Sequence, residues 1–481
     1  MKIRIVILNV FVVALLFSNC SKLKEEYAGN SIPDEEIISP ENLLFKTQVP
    51  KKDYDIIAVK PTQHSVSLSI LSYKTCAAII EYSIRGSVNF KTLNFSLTAN
   101  EPKEILLSDL LPSQSYDYYY SCKLPGSNTY IKSVKYAFCT AINTDASFIM
   151  AITADSHLDT HTDTAIYKKT LLNVKEENPD FMIELGDTFM NDKYGQDFSM
   201  VLYNYLAQRY FFGGICHSIP LFFVQGNHDG ECGYYNNGSS LSWAAWSNRM
   251  RKKYFPMPEP DAFYKGNSIN DSYTGMLQNY YAWQWSNALF IVLDPFWYSP
   301  LSATKVPWDR TLGIQQYNWL KNVLATSTAR FKFVFIHNLV GGMDLEGLAR
   351  GGVEAAHLYE WGGENGSGLY EFNTRRRGWD MPIHNLLVKY GVDIVFHGHD
   401  HFYDYQTLDG VVYQEVPQPG APENAAPIQA LTYGYQQGTI LGATGFLKLS
   451  INSNSASIAY MATSVANSGQ NKKILHQYLI N

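Results

Sequence analysis

The sequence predicts an α/β protein, a layered core of β-sheets sandwiched by helices, preceded by a small all-β sandwich. Three observations carry that expectation. The chain's 481 residues exceed what a single hydrophobic core fills. Residues 51–141 hold short runs of alternating apolar and polar residues with no helical stretch. From Ser147 onward, apolar strand-like runs are separated by segments of helical period. With 46% apolar and 17% charged residues, the composition supports a folded interior over most of the chain and excludes extensive disorder.

In chain order, the opening "MKIRIVILNVFVVALLFSNC" has a basic start, thirteen mostly apolar residues from Ile5 to Phe17, then small polar residues and Cys20. The apolar run is too short to span a bilayer comfortably, so residues 1–20 read as a secretory leader. Its end resembles a bacterial lipoprotein signal in which Cys20 becomes the lipidated first residue, although Phe17 and Asn19 depart from that pattern. The resemblance implies an exported lipoprotein at the outer membrane or cell surface, with the periplasm as the alternative, held to the membrane through lipid on Cys20. Residues 21–50, with Ser, Pro, Glu and Asn and little periodicity, read as a tether. Five cysteines remain beyond Cys20, and an oxidising compartment permits Cys122 with Cys139 or Cys216 with Cys232, neither at a diagnostic spacing. The net charge of −6 becomes −8 once Lys2 and Arg4 leave with the leader, and no basic stripe is present. A specific nucleic-acid partner is therefore not expected.

The runs "SVSLSI", "AAIIEYSI", "KTLNFSL", "DYYYSCKL" and "VKYAFCT" place a sandwich at residues 51–141. Within it, "LLPSQSYDYYY" resembles the corner before a late strand in fibronectin type III domains, which implies that Tyr116 ties the corner to backbone. Residues 142–481 form the second domain. Strand-like "FIMAITAD", "FMIELGD", "LFFVQGN", "ALFIVLD", "FKFVFIHN" and "DIVFHGHD" alternate with helical "TAIYKKTLLNVKEE", a stretch near 198–212, "IQQYNWLKNVLA" and "PIHNLLVKYG". The last 75 residues return to strand-like runs such as "GVVYQEV" and "GFLKLSI", a mixed or antiparallel edge.

The chemistry is concentrated at strand ends. Three of only twelve histidines lie within residues 397–401, in "VFHGHDHFYDY". "FIMAITADSH" ends in Asp155 and His157, "FMIELGD" in Asp187, "LFFVQGNHD" in Asn227 and His228, "FKFVFIH" in His337, and "DIVFHGHDH" in His399 and His401. Sites in open α/β sheets form beyond the carboxyl ends of the strands, so these groups should converge. Alone, each piece is an ordinary turn or a hydrogen-bonded histidine; together and in order they point to a metal centre. Two divalent cations roughly 3.5–4 Å apart can hold a bridging hydroxide and clamp a phosphoryl group, provided a shared carboxylate offsets their repulsion. Asp187 is the natural bridge. Asp155, His157 and His401 would complete one cation's shell, and Asn227, His337 and His399 the other's, with neutral donors sparing an anionic substrate from repulsion. Gly398 is expected to permit the turn that sends His399 and His401 to different ions.

The ordered set Asp-x-His, Gly-Asp, Gly-Asn-His-Asp, His and Gly-His-x-His, spread over residues 147 to about 405, resembles the calcineurin-like metallophosphoesterase superfamily. With the preceding sandwich, the layout is similar to purple acid phosphatases. Two residues depart from those enzymes: His157 stands in the first motif, and Met190 stands where their iron-binding tyrosine would be. The resemblance implies an ordinary pair of divalent or mixed-valence ions, such as Zn, Fe or Mn. It also makes His228 a non-ligand that approaches the scissile oxygen. A histidine of near-neutral pKa held by Asp229 suits protonation of the leaving alkoxide; the alternatives for His228 are a third ligand or a supporting residue.

Two insertions could meet substrate. Residues 341–378 contain ten glycines, a long excursion leaving His337, in which Arg350, His357 and Arg375 to Arg377 are candidates for phosphate oxygens, or else surface residues of a solvated loop. Between Gly230 and Asn287, Tyr234, Tyr235, Trp243, Trp246, Tyr280, Tyr281, Trp283 and Trp285 form either core or a pocket wall. The leading reading is a metal-dependent phosphoesterase acting on a small phosphorylated substrate, with a lean to monoesters. A phosphodiesterase on the same metal core is the alternative, and a surface-anchored binding protein is the rival from another class. Nothing in the sequence assigns an oligomeric state.

Overall fold

The computed structural model describes residues 39, 41, 44–143, 145–195, 197–343, 350–422, 426–442 and 444–481. The expected leader with Cys20, and all of the expected tether up to residue 38, lie outside the described residues. The end of that tether is not a tether: Phe45 stacks on Tyr194 with ring centroids 4.6 Å apart, Val49 is buried, and Lys46 N donates to Leu158 O at 2.6 Å. Apolar side chains at 45 and 49 have a core to join, which the local composition did not reveal. No helix among the described residues is long and apolar enough to cross a membrane.

The N-terminal part is a β-sandwich. Strands Tyr54–Val59, Val66–Ser72 and Lys103–Leu107 make one sheet; Cys76–Ile84, Lys91–Leu97, Ser115–Lys123, Ile131–Lys132 and Tyr136–Cys139 make the other. At the corner before Ser115–Lys123, Leu111 N donates to the Tyr116 hydroxyl at 2.8 Å. The alternation of strand side chains sends Ile56, Ala58, Leu68 and Ile70 into the sandwich interior and Ile57, Val59 and Leu71 into the core of the following domain. On that second face Arg209 is fully buried, with Nε donating to Asp55 Oδ1 at 2.6 Å and Nη1 to Ser69 Oγ at 3.0 Å. The sandwich is thus fused to the core by shared apolar surface and a satisfied buried ion pair. Cys76, Cys122, Cys216 and Cys232 take part in no disulfide, so neither of the two pairings considered forms.

The second part has two large sheets. One runs in the order Leu221–Phe223, Phe181–Glu184, Phe148–Thr153, Gly445–Ile451, Ala456–Ala462, Ile474–Ile480. Its first three strands are parallel, and Gly445–Ile451 joins antiparallel, as the C-terminal pattern predicted. The other sheet carries Ala288–Val292, Phe331–Phe335, Ile394–His397 and Val411–Glu415 in parallel, flanked by antiparallel strands. An aromatic interior joins the sheets: Phe222 stacks on Trp283 at 4.1 Å, and Phe181 meets Phe290 edge-on at 5.3 Å. Tyr281, Trp283 and Trp285 are fully buried here, so these three aromatics of the second insertion are core. Each such ring contributes on the order of 2–3 kcal/mol by leaving water. Helices Gly313–Thr326 and Ile383–Lys389 cover the outer face of the second sheet over Val334, Val395 and Tyr413. The carboxyl ends of the parallel strands of both sheets therefore deliver their following loops to one place.

Candidate metal centre

The loops after Phe148–Thr153, Phe181–Glu184, Leu221–Phe223, Phe331–Phe335 and Ile394–His397 bring seven side chains together in two adjoining sets. In one, His401 Nε2 lies 3.5 Å from Asp155 Oδ1 and 3.4 Å from His157 Nε2. In the other, His337 Nε2 lies 3.1 Å from Asp187 Oδ2, 3.1 Å from Asn227 Oδ1 and 3.2 Å from His399 Nδ1. The sets adjoin where His337 Nε2 comes within 4.0 Å of Asp155 Oδ1.

The backbone is bent to make this possible. Asp155, Asp187, His399 and His401 all occupy the left-handed region, with φ of 56°, 52°, 81° and 66°. A residue with a Cβ held there costs on the order of 1–3 kcal/mol, and such strain gathers where side chains must be aimed. The turn at 398–401 departs from expectation in this respect: the left-handed residues are the histidines themselves, and Gly398 serves close approach instead. A Cβ on Gly398 would lie 2.6 Å from Asp155 Oδ2, which already accepts the His399 N–H at 2.8 Å. Gly226 is equally confined, because a Cβ there would fall 2.1 Å from Asp187 N.

A layer of partners orients the donors. His337 Nδ1 faces Leu185 O at 2.8 Å, leaving Nε2 as the donor atom, and His157 Nδ1 faces Asp159 Oδ2 at 3.2 Å. Gln418 Nε2 reaches Asp155 O and His157 Nε2, both at 3.1 Å. Buried Glu184 accepts from Ser156 Oγ at 2.7 Å and Thr153 Oγ1 at 2.5 Å, and burial pushes its pKa up to about 7. Between the two histidines of the turn, Asp400 accepts from Arg350 Nη1 at 2.8 Å, Gly351 N at 3.0 Å and Tyr435 Oη at 2.7 Å. Beneath the turn, buried His397 sets Nδ1 2.5 Å from Glu415 Oε2, a supporting position and not a donor one.

The electrostatics fit a cation. Asp155 Oδ1 is buried, has no hydrogen-bond partner, and faces imidazole nitrogens. Burial alone would depress His337, yet Asp187 and Asp155 outweigh it and hold its pKa up at about 10. Asp187 is held well below the usual carboxylate range, its burial overridden by His337 and His228. Two buried carboxylates that draw positive charge, with imidazole and amide donors around them, are the donor set divalent transition metals take. Asp187, His337 and His399 present ligand atoms within 4.8 Å of one another.

His228 is oriented differently from the expectation. Its Nδ1 faces Asp192 Oδ2 at 2.9 Å, and Asp229, its neighbour in sequence, does not hold it. The short turn Asn227–Asp229 points the Asp229 carboxylate inward, where it accepts from the N–H groups of Asp187, Thr188, Phe189 and Gly226 at 2.8–3.0 Å. Asp229 thereby braces the loop carrying Asp187. Asp192 was missed because nothing marks a carboxylate five residues beyond Asp187 as the partner of a histidine 36 positions away. Burial would lower His228, but Asp187 and Asp192 raise its pKa.

Three arginines of the glycine-rich excursion are paired with carboxylates. Arg350 binds Asp400 and lies over the Tyr433 ring at 4.0 Å; Arg375 pairs with Glu371 at 3.1 Å; Arg376 Nε is 2.5 Å from buried Glu360 Oε2. His357 is exposed. None of these four lines the cavity of about 240 Å³ that opens beside Asn227 and His228, whose basic residues are Lys193 and Arg310. The carboxylates that claim the arginines are separated from them in sequence or hidden in short helices, so sequence reading left them unpaired.

The family model for calcineurin-like phosphoesterase matches residues 150–403. No curated protein matches the chain. Among solved structures, the structure of PhoD is similar in fold, with a TM-score of 0.62 at 15% identity over 92% of this chain and 91% of that chain. GAP50, the anchor in the inner membrane complex of Plasmodium, aligns with a TM-score of 0.38 at 13% identity over 70% and 89%. A putative 5'-nucleotidase from Staphylococcus aureus aligns with a TM-score of 0.32 at 12% identity over 70% and 54%.

Proposed function

The chain belongs to the calcineurin-like phosphoesterase family, and from that premise we propose that it is a phosphomonoesterase working with two metal ions. The observation that supports this reading is the pairing of two adjoining sets, Asp155, His157 and His401 beside Asp187, Asn227, His337 and His399, which meet where His337 Nε2 comes within 4.0 Å of Asp155 Oδ1; Asp187 would be the carboxylate that the two ions share. When bound, a pair of divalent cations supplies Lewis acidity, drawing charge from phosphoryl oxygens and easing deprotonation of the attacking water.

The remaining work falls to the chain. Asp192 holds the His228 ring by Nδ1, which leaves Nε2 to protonate the departing alkoxide. Asp192 beside Nδ1 favours the imidazolium form that this step needs. Because His228 lines the cavity, the leaving alcohol occupies it. Export, with lipid on Cys20, forms part of the proposal and rests on residues 1–20 alone.

The test is metal analysis of the purified protein alongside hydrolysis of nitrophenyl phosphate and its bis-nitrophenyl diester. We expect two equivalents of metal and a higher kcat/KM for the monoester. A preference for the diester would overturn the monoesterase assignment, and one equivalent at saturation would overturn the paired centre. Were the protein a surface binding module carrying an idle metal domain, Asp187→Ala would leave its assay untouched.

A further inference from the structure

The cavity beside His228 has two kinds of wall. Tyr234, Tyr235 and Phe296 form an aromatic side, the two tyrosines meeting edge to face at 4.7 Å. Ser299, Thr304, Asn338 and Asp192 also line it; the Ser299 and Thr304 hydroxyls already donate to Pro295 O and Leu301 O, both at 2.9 Å, whereas Asp192 Oδ1 is buried without a partner. Asn338 is buried, and although its Nδ2 donates to Leu339 O at 3.2 Å, its Oδ1 has no partner. At about 240 Å³ the space is limited; pockets for drug-sized ligands run from roughly 300 to 1,000 Å³.

From this lining we infer that the leaving alcohol is a single polyhydroxylated ring, a sugar or its like. The inference rests on the phosphoesterase reading, which puts the leaving group next to His228. Three leaving-group chemistries compete for such a space. A long alkyl chain outgrows it and leaves Asn338 Oδ1 and Asp192 Oδ1 without donors. A plain aryl ring uses the aromatic wall alone. A hydroxylated ring uses both kinds of wall, laying its C–H face on a tyrosine and donating from its hydroxyls to Asn338 Oδ1 and Asp192 Oδ1. A site built to bond hydroxyls discriminates against analogues that lack them far more strongly than an apolar pocket discriminates by size.

The experiment uses the metal-loaded full chain with a hexose phosphate, a ribose phosphate, n-hexyl phosphate and phenyl phosphate, read as kcat/KM for phosphate release. At least one sugar ester should exceed both hexyl and phenyl esters by about tenfold or more, and which of the two leads identifies the ring. Tyr235→Ala and Asn338→Ala should pull the sugar-to-hexyl ratio toward one; Tyr235→Phe, which keeps the ring, should pull it less. A thermal melt accompanies each variant, and calorimetry with a free methyl glycoside should show binding to the wild type that Tyr235→Ala loses. Hexyl or phenyl phosphate matching the sugar esters would overturn the inference while leaving the phosphoesterase reading intact. A sugar preference unmoved in every folded variant would overturn the assignment to this cavity. Metal-replete protein that releases phosphate from none of the four would overturn both.

Discussion

The strand-end donors and the arginines of the glycine-rich excursion use charge in opposite ways. At the donors, Asp155 and Asp187 are buried against imidazoles, one carboxylate oxygen has no hydrogen bond, and four of the residues sit in left-handed backbone. In the excursion, Arg350, Arg375 and Arg376 each meet a carboxylate, and for Arg376 that carboxylate is fully buried. Buried polar atoms left unmatched mark a place built for something that comes from outside the chain. Matched charges mark architecture. In sequence the two regions look equally functional, and the partner atoms tell them apart.

The contrast is broken most severely at Asp187, the carboxylate proposed to be shared. Asp187→Ala should abolish metal retention and lower kcat by at least about a thousandfold, since the ions supply several kcal/mol of transition-state stabilisation; elemental analysis and phosphate release check both. His228→Ala should lower kcat by roughly 10²–10⁴ with metal content near wild type, whereas accompanying loss of a metal would make His228 a ligand. Asp192→Asn should act through His228, with a drop in kcat of about 10–100-fold and little change in KM. Its pH–rate profile should show the alkaline limb that His228 imposes in the wild type moved to lower pH, because Asp192 no longer raises the imidazole, a change that a purely structural role would not produce.

The excursion should respond in stability and not in chemistry. Arg376→Ala leaves Glu360 buried beside the Leu312 N–H without its guanidinium, so unfolding should become easier by about 3 kcal/mol. A denaturant titration reads that loss, and kcat of the folded fraction should stay within about twofold. A large fall in kcat would return Arg376 to the substrate. The smallest effect is expected outside both regions: Cys20→Ser should release the protein from the membrane fraction while kcat/KM of the purified form is unchanged.

Much of the site was legible because its chemistry restricts the residue types. Asp-x-His, Gly-Asp, Gly-Asn-His-Asp and Gly-His-x-His each follow an apolar run, and strand ends are where an α/β fold collects ligands. The errors share one cause. Asp229 was matched to His228 because they are adjacent, but adjacent side chains in a tight turn diverge, and the Asp229 carboxylate turned to four backbone N–H groups instead. Glu184, Asp192 and Gln418 support the donors without any motif, since their value lies in what they face across the fold. Phe45 looked like tether because the ring it stacks on, Tyr194, lies more than a hundred residues away.

By itself, then, the order of residues determined the fold class and the strand ends and singled out the seven side chains proposed as donors, because periodicity and ligand chemistry are local properties written one residue at a time. Only the tertiary structure decided which of the proposed donors adjoin, which carboxylate holds His228, and that Arg350, Arg375 and Arg376 meet Asp400, Glu371 and Glu360. Those are distances between atoms remote along the chain, and a charge acquires its meaning from whatever lies within a few ångströms of it.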